Sequence, residues 1–243
     1  MDDQARSNSS LVIERLIQLT IVSVLVVAGG CHSAGTGQNI EGVQHFQQGQ
    51  PQAAIQSFEQ ALVQNPTNPD AFYNLAATYH YMGKQNKDQR LLQDAEGLYN
   101  RCLDVSPDHV ACHRALAVLL VDTERSQSAF TLLERWSTRS PQLADARIEL
   151  ARLHEEFGEN NKAKQYLGEA IDVDPNNPRA WTALARLREE DGQLAQALSN
   201  YQQAYYLNNK PDIAQRIASL NQRIRTDAPT PNGTRTVEAP RGW

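Results

Sequence analysis

His109 and His113 stand four residues apart with Cys112 between them, a spacing that can hold a metal ion on one face of a helix. Two carboxylate pairs, Glu155-Glu156 and Glu189-Glu190, would suit acid–base chemistry if each pair converged on one substrate atom. Consecutive helical residues point about 100° apart, so neither pair converges. They read as solvated faces. The chain has no glycine-rich nucleotide loop, and no Ser/His/Asp grouping marks a nucleophile.

Helices must position whatever these side chains do. The 243 residues are 40% hydrophobic and 7% aromatic, and strand-forming runs of Val, Ile and Thr are missing after residue 30. Leu, Ala, Gln, Glu and Arg fill the remainder, a balance that favours helix. Net charge is −5. A mildly acidic chain with scattered cations suits nucleic acid poorly, because phosphate binding needs a concentrated positive field.

The order of the helices is periodic. Pro107, Pro141 and Pro175 are spaced by 34 residues, and Pro66 precedes Pro107 by 41. Twelve residues before each proline stands an alanine: Ala54, Ala95, Ala129 and Ala163. A further step of 34 reaches Ala197. Aromatic and leucine positions keep the same register, as Trp181, Leu184, Ala185, Tyr201 and Ala204 do after Pro178, and Phe72, Leu75, Ala76, Tyr79 and Tyr99 do after Pro69. This pattern resembles the tetratricopeptide repeat over about residues 35–211.

The resemblance implies an all-α, right-handed superhelical solenoid of antiparallel helix hairpins. Five repeats are expected at 35–68, 69–109, 110–143, 144–177 and 178–211. Small residues at positions 8 and 20 let the helices approach, and large ones fill the space between. Gly49, Gly83, Gly158 and Gly192 fall where the first helix of a repeat should stop, since glycine accepts a left-handed C-cap. The seven extra residues of the second repeat are expected in its inter-helix turn, around Lys84–Arg90. Trp136 sits where alanine is usual, which suggests splaying between repeats three and four. Ile213, Ile217, Leu220 and Ile224 lie at helical spacing and predict a capping helix over 212–225. Residues 226–243, rich in Thr, Pro and Gly, read as a disordered tail.

Register also disposes of the metal reading. His45 and His154 take aromatic packing slots, His109 falls in an inter-repeat turn and His113 in an aromatic slot. No metal, cofactor or enzyme activity is assigned. Cys102 and Cys112 occupy alanine slots facing the same helix–helix seam. Two buried thiols are the preferred reading, ahead of a disulfide that an oxidising compartment would permit.

The N-terminus carries an address. Leu16–Ala28 is largely apolar and uncharged, too short for a comfortable span and about right for a signal peptide. It runs into Val27-Ala28-Gly29-Gly30-Cys31, which resembles a bacterial lipobox. The resemblance implies a signal peptide at 1–30, lipidation of Cys31, a short tether at 31–34, and anchoring to a membrane by acyl chains. An uncleaved anchor beginning near Leu11 and a signal peptide without lipid are the alternatives. His32, in place of Asp, argues against retention in the inner membrane by the same resemblance.

In tetratricopeptide proteins the first helices of successive repeats line a concave groove. Carried over by position, the groove residues are Tyr73, His80 and Tyr81, then Arg114, then Arg152 and Glu156, then Arg179 and Arg186. A carboxylate clamp of the chaperone-binding kind is absent, with Asn39, Val43, Ala111 and Ala115 in its places and only Asn74 matching. The implied function is a membrane-tethered scaffold in the cell envelope that binds other proteins through this groove. A pilotin-like assembly factor for a pilus or secretion system, sharing the lipobox and repeats, is the alternative.

Overall fold

A computed structural model describes residues 35–227, and these form eleven helices. The segment to Ala34, with the expected signal peptide and Cys31, lies outside the described residues, as does 228–243. The helices are α1 (Thr36–Gln47), α2 (Pro51–Gln64), α3 (Pro69–Asn86), α4 (Gln89–Val105), α5 (Val110–Asp122) and α6 (Ser126–Arg139). After them come α7 (Ala144–Glu156), α8 (Asn160–Val173), α9 (Pro178–Glu190), α10 (Leu194–Asn208) and α11 (Pro211–Asp227). Each odd-numbered helix up to α9 pairs with the next, giving five hairpins stacked in chain order. The architecture is the all-helical superhelical stack that the resemblance implies.

Local chemistry starts and stops these helices. Asn68 accepts hydrogen bonds from the Asp70 and Ala71 N–H groups, and Asn177 from that of Arg179, each just before an N-terminal proline. Side-chain oxygens there satisfy donors that the first turn leaves without partners. Gly158 and Gly192 take positive φ of 74° and 75° after α7 and α9, the left-handed closure expected of them.

The second hairpin departs from expectation. Its extra residues do not form a loop: α3 has 18 residues where α5 has 13, and α4 has 17 where α6 has 14. Gly83 is therefore inside α3, and Lys87, at φ 54°, takes the left-handed position instead. Glycine is needed at 83 for approach, since a Cβ there would lie 2.8 Å from the Leu92 side chain.

The periodic alanines Ala54, Ala95, Ala129, Ala163 and Ala197 are all completely buried. They are where paired helices come closest. Trp136 is also buried, but its bulk is absorbed inside the third hairpin and not between repeats three and four. Its ring stacks on His113 with centroids 4.0 Å apart, and α5 and α6 approach less closely than other hairpin partners do. Over the last hairpin, α11 lays Ile213 and Leu220 on Ala185, Ala197, Tyr201 and Ala204. Thr226 and Asp227, expected in the tail, belong to this helix.

Candidate functional site: a concave face with internal rungs

Successive first helices of the hairpins are joined by polar contacts. Asn74 on α3 donates to Asn39 on α1 at 3.0 Å, so the one clamp-like asparagine is engaged by another. Asp122 on α5 receives His80 at 3.0 Å and Lys84 at 3.0 Å, both from α3. Burial pushes the Asp122 carboxyl up, but these two partners outweigh it and hold it below its ordinary value.

Glu149 on α7 is the centre of the next rungs. It is 2% exposed and receives Arg114 of α5 through Nε at 2.8 Å and through Nη2. Arg179 of α9 reaches it at 2.6 Å and also pairs with Asp145. Arg152 stands one helical turn away, 3.7 Å from the carboxylate. Burial again favours the neutral acid, yet the Arg114 hydrogen bond and the three guanidinium charges keep Glu149 below the usual range. Farther along, Arg186 of α9 grips Glu155 of α7 with two bonds of 2.5 Å. Glu189 of α9 is held by Arg216 and Arg223 of the terminal helix at 2.7 and 2.6 Å.

Several expected groove residues therefore have other work. His80 is 3% exposed and sits beneath the groove against Asp122. Tyr73 is 5% exposed, with its ring centroid 6.2 Å from that of Tyr99 and 5.9 Å from that of His109. Neither lines an open surface, because Tyr99 packs beside both, with His109 against Tyr73 and Asp122 against His80. Arg114, Arg179 and Arg186 reach the face but are committed to carboxylates of neighbouring repeats. Tyr81 is half-buried, edge-on to Phe46 with centroids 5.4 Å apart. Glu156 is exposed by area yet lies in a small hollow with Arg152, Arg114 and Val118, where burial pushes its carboxyl up. Burial pushes the neighbouring Arg152 guanidinium down.

The cysteine seam also differs from expectation. Cys102 of α4 and Cys112 of α5 form a disulfide, Cα atoms 6.6 Å apart, where two thiols were the preferred reading. Their alanine slots bring the helices close enough for the sulfurs to meet. The metal-like His109–His113 pair is separated: the His113 ring lies 2.9 Å from the Pro107 carbonyl and stacks on Trp136. His109 turns the other way and caps α5, accepting the Cys112 N–H at 3.1 Å. The ligand atoms of His109, Cys102 and Cys112 lie within 4.8 Å of one another. His154 packs as expected, stacked on Tyr166 at 5.2 Å, while His45 is only half-buried and contacts Gln50 at 3.0 Å.

Sequence reasoning did not name the partners within the rungs, although a signal was present. Arg114 and Glu149 are 35 residues apart, Asp145 and Arg179 are 34, and His80 and Asp122 are 42. Opposite charges offset by about one repeat, or one repeat plus the insertion, face each other across a stack.

No helix among the described residues is long and apolar enough to cross a membrane. Models of the tetratricopeptide repeat match residues 42–83, 122–187 and 178–211. The photosystem I assembly protein Ycf3 of Rippkaea orientalis is 30% identical over 63 residues, 26% of this chain and 36% of its own length. The chain spans at most 36% of the length of the curated relatives it matches. The structure of TTC0263, a thermophilic TPR protein of Thermus thermophilus, superposes with a TM-score of 0.56 at 27% identity. That match covers 78% of this chain and 100% of that one. The pilF structure of Pseudomonas aeruginosa shares the fold, with a TM-score of 0.50 at 16% identity over 81% of this chain and 92% of its own. With repeat models of one kind across more than half of its length and stacked hairpins in the same register, the chain is a tetratricopeptide-repeat protein.

Proposed function

We infer that the chain is a protein-interaction scaffold that holds an extended segment or a helix of another protein along its concave face, tethered to a cell-envelope membrane through lipid on Cys31. The observation that carries the binding reading is the division of labour on that face. The rungs fix its curvature, while Tyr81 on the second hairpin and Glu156 on the fourth remain for a ligand. Tyrosine is among the side chains that most often carry interface energy. A face held rigid in advance loses little entropy when it binds. Support for the tether is the run Val27-Ala28-Gly29-Gly30-Cys31. Three residues lie between Cys31 and Gly35, and the four chain steps reach at most about 14 Å, so the first hairpin would sit beside the bilayer.

Cross-linking in intact envelopes, with identification of the captured proteins, tests the binding reading. Tyr81→Ala should weaken capture while helicity stays unchanged. Capture that is unaltered would move the binding surface off the concave face. Cys31→Ser should abolish lipid labelling, and labelling that persists would sink the tether. The pilotin-like alternative has shared architecture behind it and no specific observation in its favour.

A further inference from the structure

The seam between the second and third hairpins carries a donor set that the scaffold reading does not use. Cys102 comes from the last turn of α4, His109 from the cap position of α5 and Cys112 from the first turn of α5. Two sulfurs and one imidazole nitrogen, each within 4.8 Å of the others, make a three-point donor set of the type that holds a borderline-soft divalent cation.

The histidine is arranged as a metal ligand would be. Its Nδ1 accepts the Cys112 backbone N–H at 3.1 Å, so the ring lone pair faces the first turn of α5 and an ion would take the place of this one bond. Its Nε2 then carries the proton and donates to Asp70 Oδ1 at 3.2 Å. A carboxylate on the far nitrogen fixes the tautomer and ring orientation of metal-bound histidines and raises their basicity. The Tyr73 ring lies beside the imidazole, with centroids 5.9 Å apart. Both cysteines are fully buried, whereas the His109 side chain is 16% exposed, so the cluster opens to solvent on the histidine side.

We propose that Cys102, His109 and Cys112 bind one zinc ion when the disulfide is open, so that this seam alternates between a covalent and a metal closure. Each donor has a partner in both states. Without metal, sulfur bonds sulfur and Nδ1 takes the backbone N–H; with metal, all three turn to the ion and the fourth coordination position holds water. The conversion balances as two steps. A dithiol gives two electrons and two protons to the Cys102–Cys112 bond and becomes a disulfide itself, leaving two thiols on the protein. Zinc then displaces both thiol protons and forms two zinc–sulfur bonds.

The test uses the full chain carrying Cys31→Ser, which removes the third thiol. The chain is reduced with a phosphine, freed of it without oxygen, and titrated with cobalt(II) chloride while helicity is followed. The reduced chain should take up one cobalt with a thiolate-to-metal charge-transfer absorption, and zinc chloride should displace it. The unreduced chain should show no such band. Cys102→Ser should abolish the band, and Asp70→Asn should weaken affinity about tenfold or more with the band retained. The proposal is overturned if the reduced, helical chain shows no thiolate band, if the band survives Cys102→Ser unchanged, or if reduction unfolds the helices.

Discussion

The seam between hairpins two and three and the seam between hairpins four and five join neighbouring repeats by different means. At the first, a disulfide bridges α4 to α5, and directly beneath it Trp136 stacks on His113 inside the third hairpin. At the second, Arg179 and Arg186 of α9 grip Asp145, Glu149 and Glu155 of α7. Both solutions hold neighbouring repeats in one register. They differ in what can undo them: the first, which also carries the Asp122 rung to His80 and Lys84, answers to reductant and to loss of packing as well as to charge, the second to charge. Because a repeat array is stabilised by nearest-neighbour interfaces, two such seams let its halves fail under different conditions.

Removing Trp136 should be the largest single insult. Trp136→Ala is expected to cost about 4 kcal/mol, in the range for emptying an aromatic site in a packed core. Urea denaturation would read it, and a loss under about 1 kcal/mol would mean the third hairpin closes over the gap. The same stack has a pH signature. Burial depresses His113 to about 4, only partly countered by its hydrogen bond to Pro107. The unfolded imidazole, near its ordinary value of about 6.5, therefore binds protons that the folded one refuses. Stability should fall as pH drops from about 6.5 to about 4, by roughly 3 kcal/mol at most. His113→Phe should flatten that slope, and an unchanged slope would place its origin elsewhere.

Opening the disulfide comes next. Cys102→Ser with Cys112→Ser, across a sequence separation of 10, should lower stability by slightly under about 3 kcal/mol if the gain is chain entropy. Metal-free reduction of the parent chain should match it.

The charged seam should respond less to any one change. Glu149→Gln leaves Arg114, Arg152 and Arg179 without their shared anion, at an expected cost of about 2 kcal/mol, below the figure for fully buried pairs because all three guanidinia keep some water. Its pH window lies lower than that of His113. Since the folded carboxyl is held down, its contribution is complete above the ordinary carboxylate pKa of about 4.3 and fades as pH falls below it. A parent chain that loses this contribution already at about pH 6 would contradict the assignment. Smallest of all, Arg125→Ala removes an exposed pair with Glu96 and should cost about 0.5 kcal/mol, a shift near the resolution of thermal denaturation.

The apolar half of this contrast was the easier to read from sequence. Ala54 through Ala197 announce the stack because close helix packing admits only small residues at a fixed interval, and Ile213 and Leu220 announce a cap because an array must cover its last face. The rungs were hidden because a charge carries no mark of being exposed or paired, and Arg114 belongs to Glu149 only once the repeat is laid out in space. The elongated second hairpin was hidden for another reason. Gly83 has the residue type of a helix stop, and only the position of Leu92 shows that it serves approach instead. Cys102 and His109 are seven positions apart along the chain, and it takes the turn between α4 and α5 to set them side by side.

That elongated hairpin has a consequence for how the molecule meets its surroundings. Five additional residues in α3 over α5 amount to about 7 Å along the helix axis. The edge of the stack that carries the turns within hairpins is thus stepped, with a polar knuckle formed by Gln85, Asn86, Lys87 and Asp88 standing proud of its neighbours. Any flat body pressed against that edge, whether a bilayer or a second stack, rests on this point first and is kept off the rest as by a spacer.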